Sequence, residues 1–243
     1  MNNCNRNIFL GDIHGDYDVI RKFINNYDIT NANIIQLGDF GVGFGTFTEN
    51  KKQLDYYNKI FVKRNVHIWV VRGNHDNKLY FNNDLFKCSN IHLMPDYSVQ
   101  KLNNQNILFI GGGISIDRTF RKLNTNYWED EIFILDEEKL KSIENIDIIV
   151  THIAPIYVHP SNINGYSPLV ERIITKSGDF KLRVELKEER LLLNRVFEIL
   201  SEKNNIKYHF YGHYHDSNIA THNNIQHILL NVKEFYELND NSC

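Results

Sequence analysis

"RNIFLGDIHGDYDVIRKFINNY" occupies residues 6–27, and its reading decides the fold. RNIFL (6–10) is a short apolar run closed by Gly11, which predicts a buried strand. From Tyr17 to Tyr27 the apolar residues Val19, Ile20, Phe23 and Ile24 recur at helical spacing. The turn between them carries Asp12 and His14 next to glycine. The same pattern returns downstream. NIIQL (33–37) predicts a second strand ending at Gly38. KKQLDYYNKIFVKR (51–64) predicts a helix with Leu54, Tyr57, Ile60 and Phe61 on one face. VHIWVV (66–71) predicts a third strand ending before Gly73. Strands alternating with helices in this way predict a parallel βαβ core.

Further along, QNILFIGGG (105–113) and IDIIVTHIAP (146–155) predict more buried strands. The stretch 165–203 turns helical, with Leu186, Arg190, Leu193, Val196, Phe197 and Leu200 in one amphipathic run. IKYHFY, SNIATH, IQHILLNV and EFYEL close the chain as β structure. No repeat, low-complexity block or Pro/Gly linker interrupts residues 1–243, so a single domain is expected.

The 243 residues are 42% hydrophobic and 23% charged, enough for one large domain with a sizeable core. A net charge of −3 provides no broad basic field, so duplex nucleic acid is not an expected partner. Cys4, Cys88 and Cys243 form no CxxC pair, so they read as reduced thiols and not as metal ligands. The N-terminus lacks a signal-peptide core, and no apolar run approaches the ~20 residues of a membrane span. The expectation is a soluble, cytoplasmic protein without a membrane partner.

The chemistry gathers at strand ends. GDIHGD holds Asp12 and His14, and GDFG holds Asp39. RGNHD holds Arg72, Asn74, His75 and Asp76, TH holds His152, and GHYH holds His213 and His215. In open α/β sheets, ligand-binding groups cluster beyond the carboxyl ends of strands. Glycine lets the backbone turn sharply there and approach an ion. Two neighbouring imidazoles make poor core, because burial leaves their polar nitrogens needing partners, but they make good metal ligands. Mixed nitrogen and oxygen donors without thiolate suit Mn, Fe or Zn.

The ordered set D-x-H, GD, GNHD, H and GHxH, from Asp12 to His215, resembles the calcineurin-like metallophosphoesterase family. The segments 111–131 and YGHYHDS resemble a bacterial and phage metallophosphatase branch of it. The resemblance implies an α/β fold, a four-layer αββα sandwich with two mixed β-sheets. It implies two divalent metal ions, Mn first, with Fe or Zn as alternatives. Asp12, His14 and His215 would bind one ion, Asn74, His152 and His213 the other, and Asp39 would bridge them. A hydroxide shared by the ions would attack a phosphate-ester substrate, and His75 would protonate the leaving oxygen. Arg72 matches the arginine before GNH that binds phosphate in the protein-phosphatase branch.

The chain departs from that branch at GDFGVG, where Val42 and Gly43 replace an aspartate and an arginine. The partner that orients the acid histidine and one phosphate-binding arginine are thereby missing, and Asp76 is not an obvious replacement. Arg118 and Arg121, after the glycines 111–113, are the candidate sources of the missing charge, with a solvated helix face the favoured reading for Arg121. The GHxH ending is closer to phosphodiesterases and nucleases than to phosphoserine/threonine phosphatases. The expected function is hydrolysis of phosphomonoesters or phosphodiesters, small or nucleotide-like. The alternatives are a nuclease of the same chemistry and a non-catalytic metal-binding scaffold. Segment 156–190 is expected to cap the site and set substrate choice.

Overall fold

The computed structural model describes residues 6–82, 85–160 and 167–238. In one sheet β1 (Arg6–Leu10), β2 (Ala32–Gln36), β3 (Val66–Val70) and β4 (Ile91–Leu93) run parallel in chain order. In the other, β5 (Ser98–Leu102) pairs antiparallel with β6 (Gln105–Ile110). Parallel neighbours follow β6 in the order β7 (Ile148–Thr151), β8 (Tyr208–Tyr211) and β10 (Ile225–Leu229). The antiparallel β9 (Asn218–His222) closes that sheet, and β11 (Phe235–Leu238) returns to pair antiparallel with β1. Both sheets are mixed, as expected.

Side chains alternate between two buried faces. Ile8 and Leu10 face α1 (Asp18–Asn26) and α2 (Phe47–Arg64), packing with Ile20, Ile24, Leu54 and Phe61. Phe9, between them, faces the other way and stacks on Phe210 at 3.5 Å between ring centroids. That contact lies in the seam between the sheets. On the second sheet Ile107 and Phe109 enter the seam, while Leu108 and Ile110 face the outer helices. Those helices are α4 (Glu137–Ser142) and α6 (Leu182–Ser201), which contribute Leu140, Leu193, Val196 and Leu200. Apolar residues on both faces are what strands covered on both sides require. The layers therefore run αββα.

Three differences from the sequence reading have local causes. Helix α2 starts at Phe47 because Thr46 and Glu49 form a capping box: Thr46 Oγ1 accepts from the Glu49 N–H and Glu49 accepts from the Thr46 N–H. The helical stretch 165–203 splits into α5 (Pro168–Ser177) and α6 at Gly178, whose φ of 73° ends the first helix. The edge strands β4 and β5 are partly exposed and too short for apolar periodicity to mark them. A four-residue helix, α3 (Leu79–Asn82), follows the third strand-end loop. Of the expected cap segment 156–190, residues 161–166 lie outside the described residues, as do Cys4 and Cys243. Among the described residues no helix is long and apolar enough to cross a membrane.

Candidate metal centre

The carboxyl ends of β1, β2, β3, β7 and β8 share one rim, and the seven candidate ligands stand just beyond them. Their backbone is unusual. His14, Asp39, His213 and His215 have φ of 47°, 54°, 70° and 50°. Side-chain-bearing residues rarely adopt this left-handed region, and strain of this kind concentrates at functional sites. Two glycines make the convergence possible. A Cβ on Gly38 would lie 2.3 Å from His152 Nδ1, and one on Gly212 would lie 2.2 Å from Asp12 Oδ1.

The donors form two clusters. In the outer one His14 Nε2 and His215 Nε2 lie 3.1 Å apart, and Asp12 Oδ2 is 3.9 Å from the first and 3.3 Å from the second. In the inner one His152 Nε2 and His213 Nδ1 are 3.2 Å apart, each 3.0 Å from Asn74 Oδ1. Asp39 stands between, with Oδ1 3.3 Å from His152 Nε2 and Oδ2 3.7 Å from His14 Nδ1. Each of its oxygens thus addresses a different cluster.

Surrounding hydrogen bonds fix these atoms. Asn74 Nδ2 donates to Ser115 Oγ at 2.9 Å, which turns Oδ1 toward the cluster. Ser115 in turn donates its Oγ–H and its N–H to the buried Glu131 carboxyl. Burial pushes Glu131 up to about 8. His152 Nδ1 lies 2.8 Å from the Leu37 carbonyl, so it carries the proton that this oxygen accepts and Nε2 faces the cluster. The inner cluster is rich in electron pairs and draws positive charge. Burial works against a charge on His152, yet Asp39 overrides it and lifts the ring above its ordinary value. Burial also holds His213 well below its ordinary value, keeping that ring neutral. A divalent cation would meet the same demand and release protons, as metal binding to such donors does. The residues present fit a metal pair.

A cavity of about 610 Å³ opens on this rim. Besides donors of both clusters it is lined by His75, Asp117 and Arg121, by Pro168, Leu169 and Val170 of α5, and by Leu186 of α6. His75 donates its backbone N–H to Asp39 Oδ1 at 2.8 Å, and its Nε2 is 3.8 Å from Asp39 Oδ2. Burial holds the His75 ring below its ordinary value; Asp39 opposes this and Arg121 adds to it.

The arginines require correction. Arg72, expected on phosphate, is fully buried and does not line the cavity. Its guanidinium donates to the Glu131 and Ile132 carbonyls and to Asp96, tying the end of β3 to a distant loop. Arg118, expected to supply the missing charge, is paired at two points with Asp179 and also with Glu185, and likewise does not line the cavity. Arg121, read as solvated, does line it, and its side chain is 12% exposed. Asp76 is fully buried and accepts from the N–H groups of Phe40, Gly41, Val42 and Gly73, stapling the Asp39 loop to the Asn74 loop. Sequence reasoning missed Ser115 and Glu131. Ser115 follows the glycines that end β6, which is a faint signal; Glu131 carries none.

The model of the calcineurin-like phosphoesterase family matches residues 6–217. No match to a curated protein was found. One solved structure superposes with a TM-score of 0.50 at 12% identity, covering 96% of this chain and 98% of the other. A dimetal phosphatase from Danio rerio gives a TM-score of 0.49 at 13% identity, covering 94% of this chain and 88% of that one. The phosphopantetheinyl hydrolase of Mycobacterium tuberculosis gives 0.47 at 12% identity, covering 94% and 91%. At 12% identity the likeness to the first of these concerns the fold alone.

Proposed function

The chain belongs to the calcineurin-like phosphoesterase family, and on that premise we propose that it hydrolyses small phosphate esters with two divalent cations. Asp12, His14 and His215 would hold one cation, and Asn74, His152 and His213 the other. Asp39 would contact both, one oxygen to each. Manganese is the preferred ion, and iron or zinc would accept the same donors. Such a pair supplies Lewis-acid charge to the phosphoryl oxygens and a water acidic enough to attack at neutral pH.

The chain's own groups do the rest. Asp39 accepts the His75 backbone N–H at 2.8 Å and so holds that ring at the cavity edge of the centre. From there His75 would donate a proton to the leaving oxygen as its bond to phosphorus breaks. The single observation that carries the reading is the convergence of the inner donors, His152 Nε2, His213 Nδ1 and Asn74 Oδ1, all within 3.2 Å of one another.

The cavity supports a small ester in preference to a polymer, because Pro168, Leu169, Val170 and Leu186 give the cavity that holds the centre apolar walls. It contains no basic track among its described residues. Arg190, the other arginine in its wall, donates to the carbonyls of Ala154, Pro155, Val158 and Pro160.

The test uses two leaving groups. An alkoxide leaves badly without a proton, and p-nitrophenolate leaves well unaided. In manganese-loaded protein, His75→Ala should lower kcat/KM for an alkyl phosphate ester by roughly 10²–10⁴ and for a p-nitrophenyl ester far less. Metal content is measured alongside. Equal losses would remove the acid role from His75, and a wild-type protein inert toward both esters would sink the proposed function.

A further inference from the structure

We propose that Arg121 and His75 form an anion clamp over the candidate metal centre, with Arg121 as the side chain that grips the phosphoryl group. The proposal rests on the phosphoesterase reading of the site but on different atoms from the metal donors.

Arg121 follows the short 3₁₀ turn Arg118–Phe120 and reaches back toward the rim. Two contacts hold it. Nε donates to Asp117 Oδ1 at 2.6 Å, and Nη1 donates to the Asn126 carbonyl at 3.0 Å. The remaining edge of the guanidinium lies on His75, with Nη1 3.0 Å from Nδ1 and Nη2 2.9 Å from Nε2. These two approaches cannot both be hydrogen bonds. A guanidinium only donates, and an imidazole has one lone-pair nitrogen when neutral and none when protonated. Whichever ring nitrogen carries the proton, at least one Arg121 N–H faces another N–H. The pair is short of an acceptor, in a side chain that is 12% exposed and lines the same cavity as His14, Asp39 and Asn74.

A phosphoryl oxygen supplies the missing acceptor. The planar guanidinium edge can donate two parallel hydrogen bonds to such a group. The same oxygens would lie within reach of His75, whose Nε2 is 3.8 Å from Asp39 Oδ2. The other arginines near the rim are committed: Arg72 and Arg190 to carbonyls, and Arg118 to two carboxylates. Asp117 holds Nε, and the Nη1–Nη2 edge is left against His75 in the wall of the cavity. The clamp recognises the phosphate itself, so it serves monoesters and diesters alike.

The experiment titrates inorganic phosphate into manganese-loaded protein by calorimetry, with metal content measured in each variant. Arg121→Met should weaken phosphate binding by about 10- to 100-fold, the worth of a charged hydrogen-bond pair, with metal content unchanged. Arg121→Lys should recover only part of the loss, because it restores the charge without the fork. Unchanged phosphate affinity in Arg121→Met would overturn the clamp, as would a loss that merely follows metal content. Phosphate binding needs no turnover, so the two readings separate. Phosphate binding through Arg121 in a protein that hydrolyses no ester would sink the proposed function and leave the clamp. Ester hydrolysis with Arg121-independent phosphate affinity would sink the clamp alone.

Discussion

The inner and outer donor clusters use similar side chains in different surroundings. His152 is fully buried and Asn74 is 3% exposed. Behind them stand the Leu37 carbonyl on one side and the Ser115–Glu131 pair on the other. In the outer cluster the His14 and His215 side chains are 33% and 51% exposed, and only Asp12 is buried. Buried donors with hydrogen-bonded supports are pre-oriented, so a cation held by them loses little freedom to the site. Exposed rings reorder in water and let an ion exchange. On the proposed two-cation reading, the inner position would retain its ion and the outer one would exchange it.

Asp39→Asn gives the largest effect, because it strikes both clusters at once. It should lower occupancy of both positions and reduce kcat/KM well beyond the roughly 10–100-fold cost of losing a supporting partner. Elemental analysis beside kinetics checks this, and a variant keeping two ions and full rate would remove Asp39 from the centre. His215→Ala should come next. It should leave one tightly held ion per chain, and a chelator should strip the same outer ion first from wild type. Simultaneous loss of both ions would erase the proposed asymmetry. Ser115→Ala should give the smallest effect. It frees the Asn74 amide to turn and should weaken the inner position by about 10–100-fold with the outer one unchanged. Equal weakening of both positions, read by competition with a chromophoric chelator, would mean that Ser115 supports the fold and not Asn74.

Much of this site is legible in the amino-acid sequence. Asp12, Asp39, Asn74, His152, His213 and His215 each follow a readable apolar run, so parallel strands must bring them to one rim. The glycines beside them are legible as strand ends, and the structure supplies their reason: at Gly38 and Gly212 a Cβ has no room. The outward direction of side chains in the connecting segments is not legible. Arg118 and Arg121 sit on one short stretch, yet the first turns to Asp179 and the second to His75. Nothing in RTFRK distinguishes them.

Sequence alone marked the main alternation of strands and helices and placed the candidate donors beyond strand ends, because apolar periodicity and glycine punctuation are local properties; it did not mark the short β4 and β5 or the break at Gly178. Tertiary structure alone decided which arginine reaches the cavity. Arg72 finds its carbonyls about sixty positions away, at Glu131 and Ile132, Arg118 finds its carboxylate at Asp179, and Arg121 is left facing His75. Long, flexible charged side chains take their direction from whichever acceptors the fold brings within reach, and such partners, distant in sequence, leave no local mark on the chain.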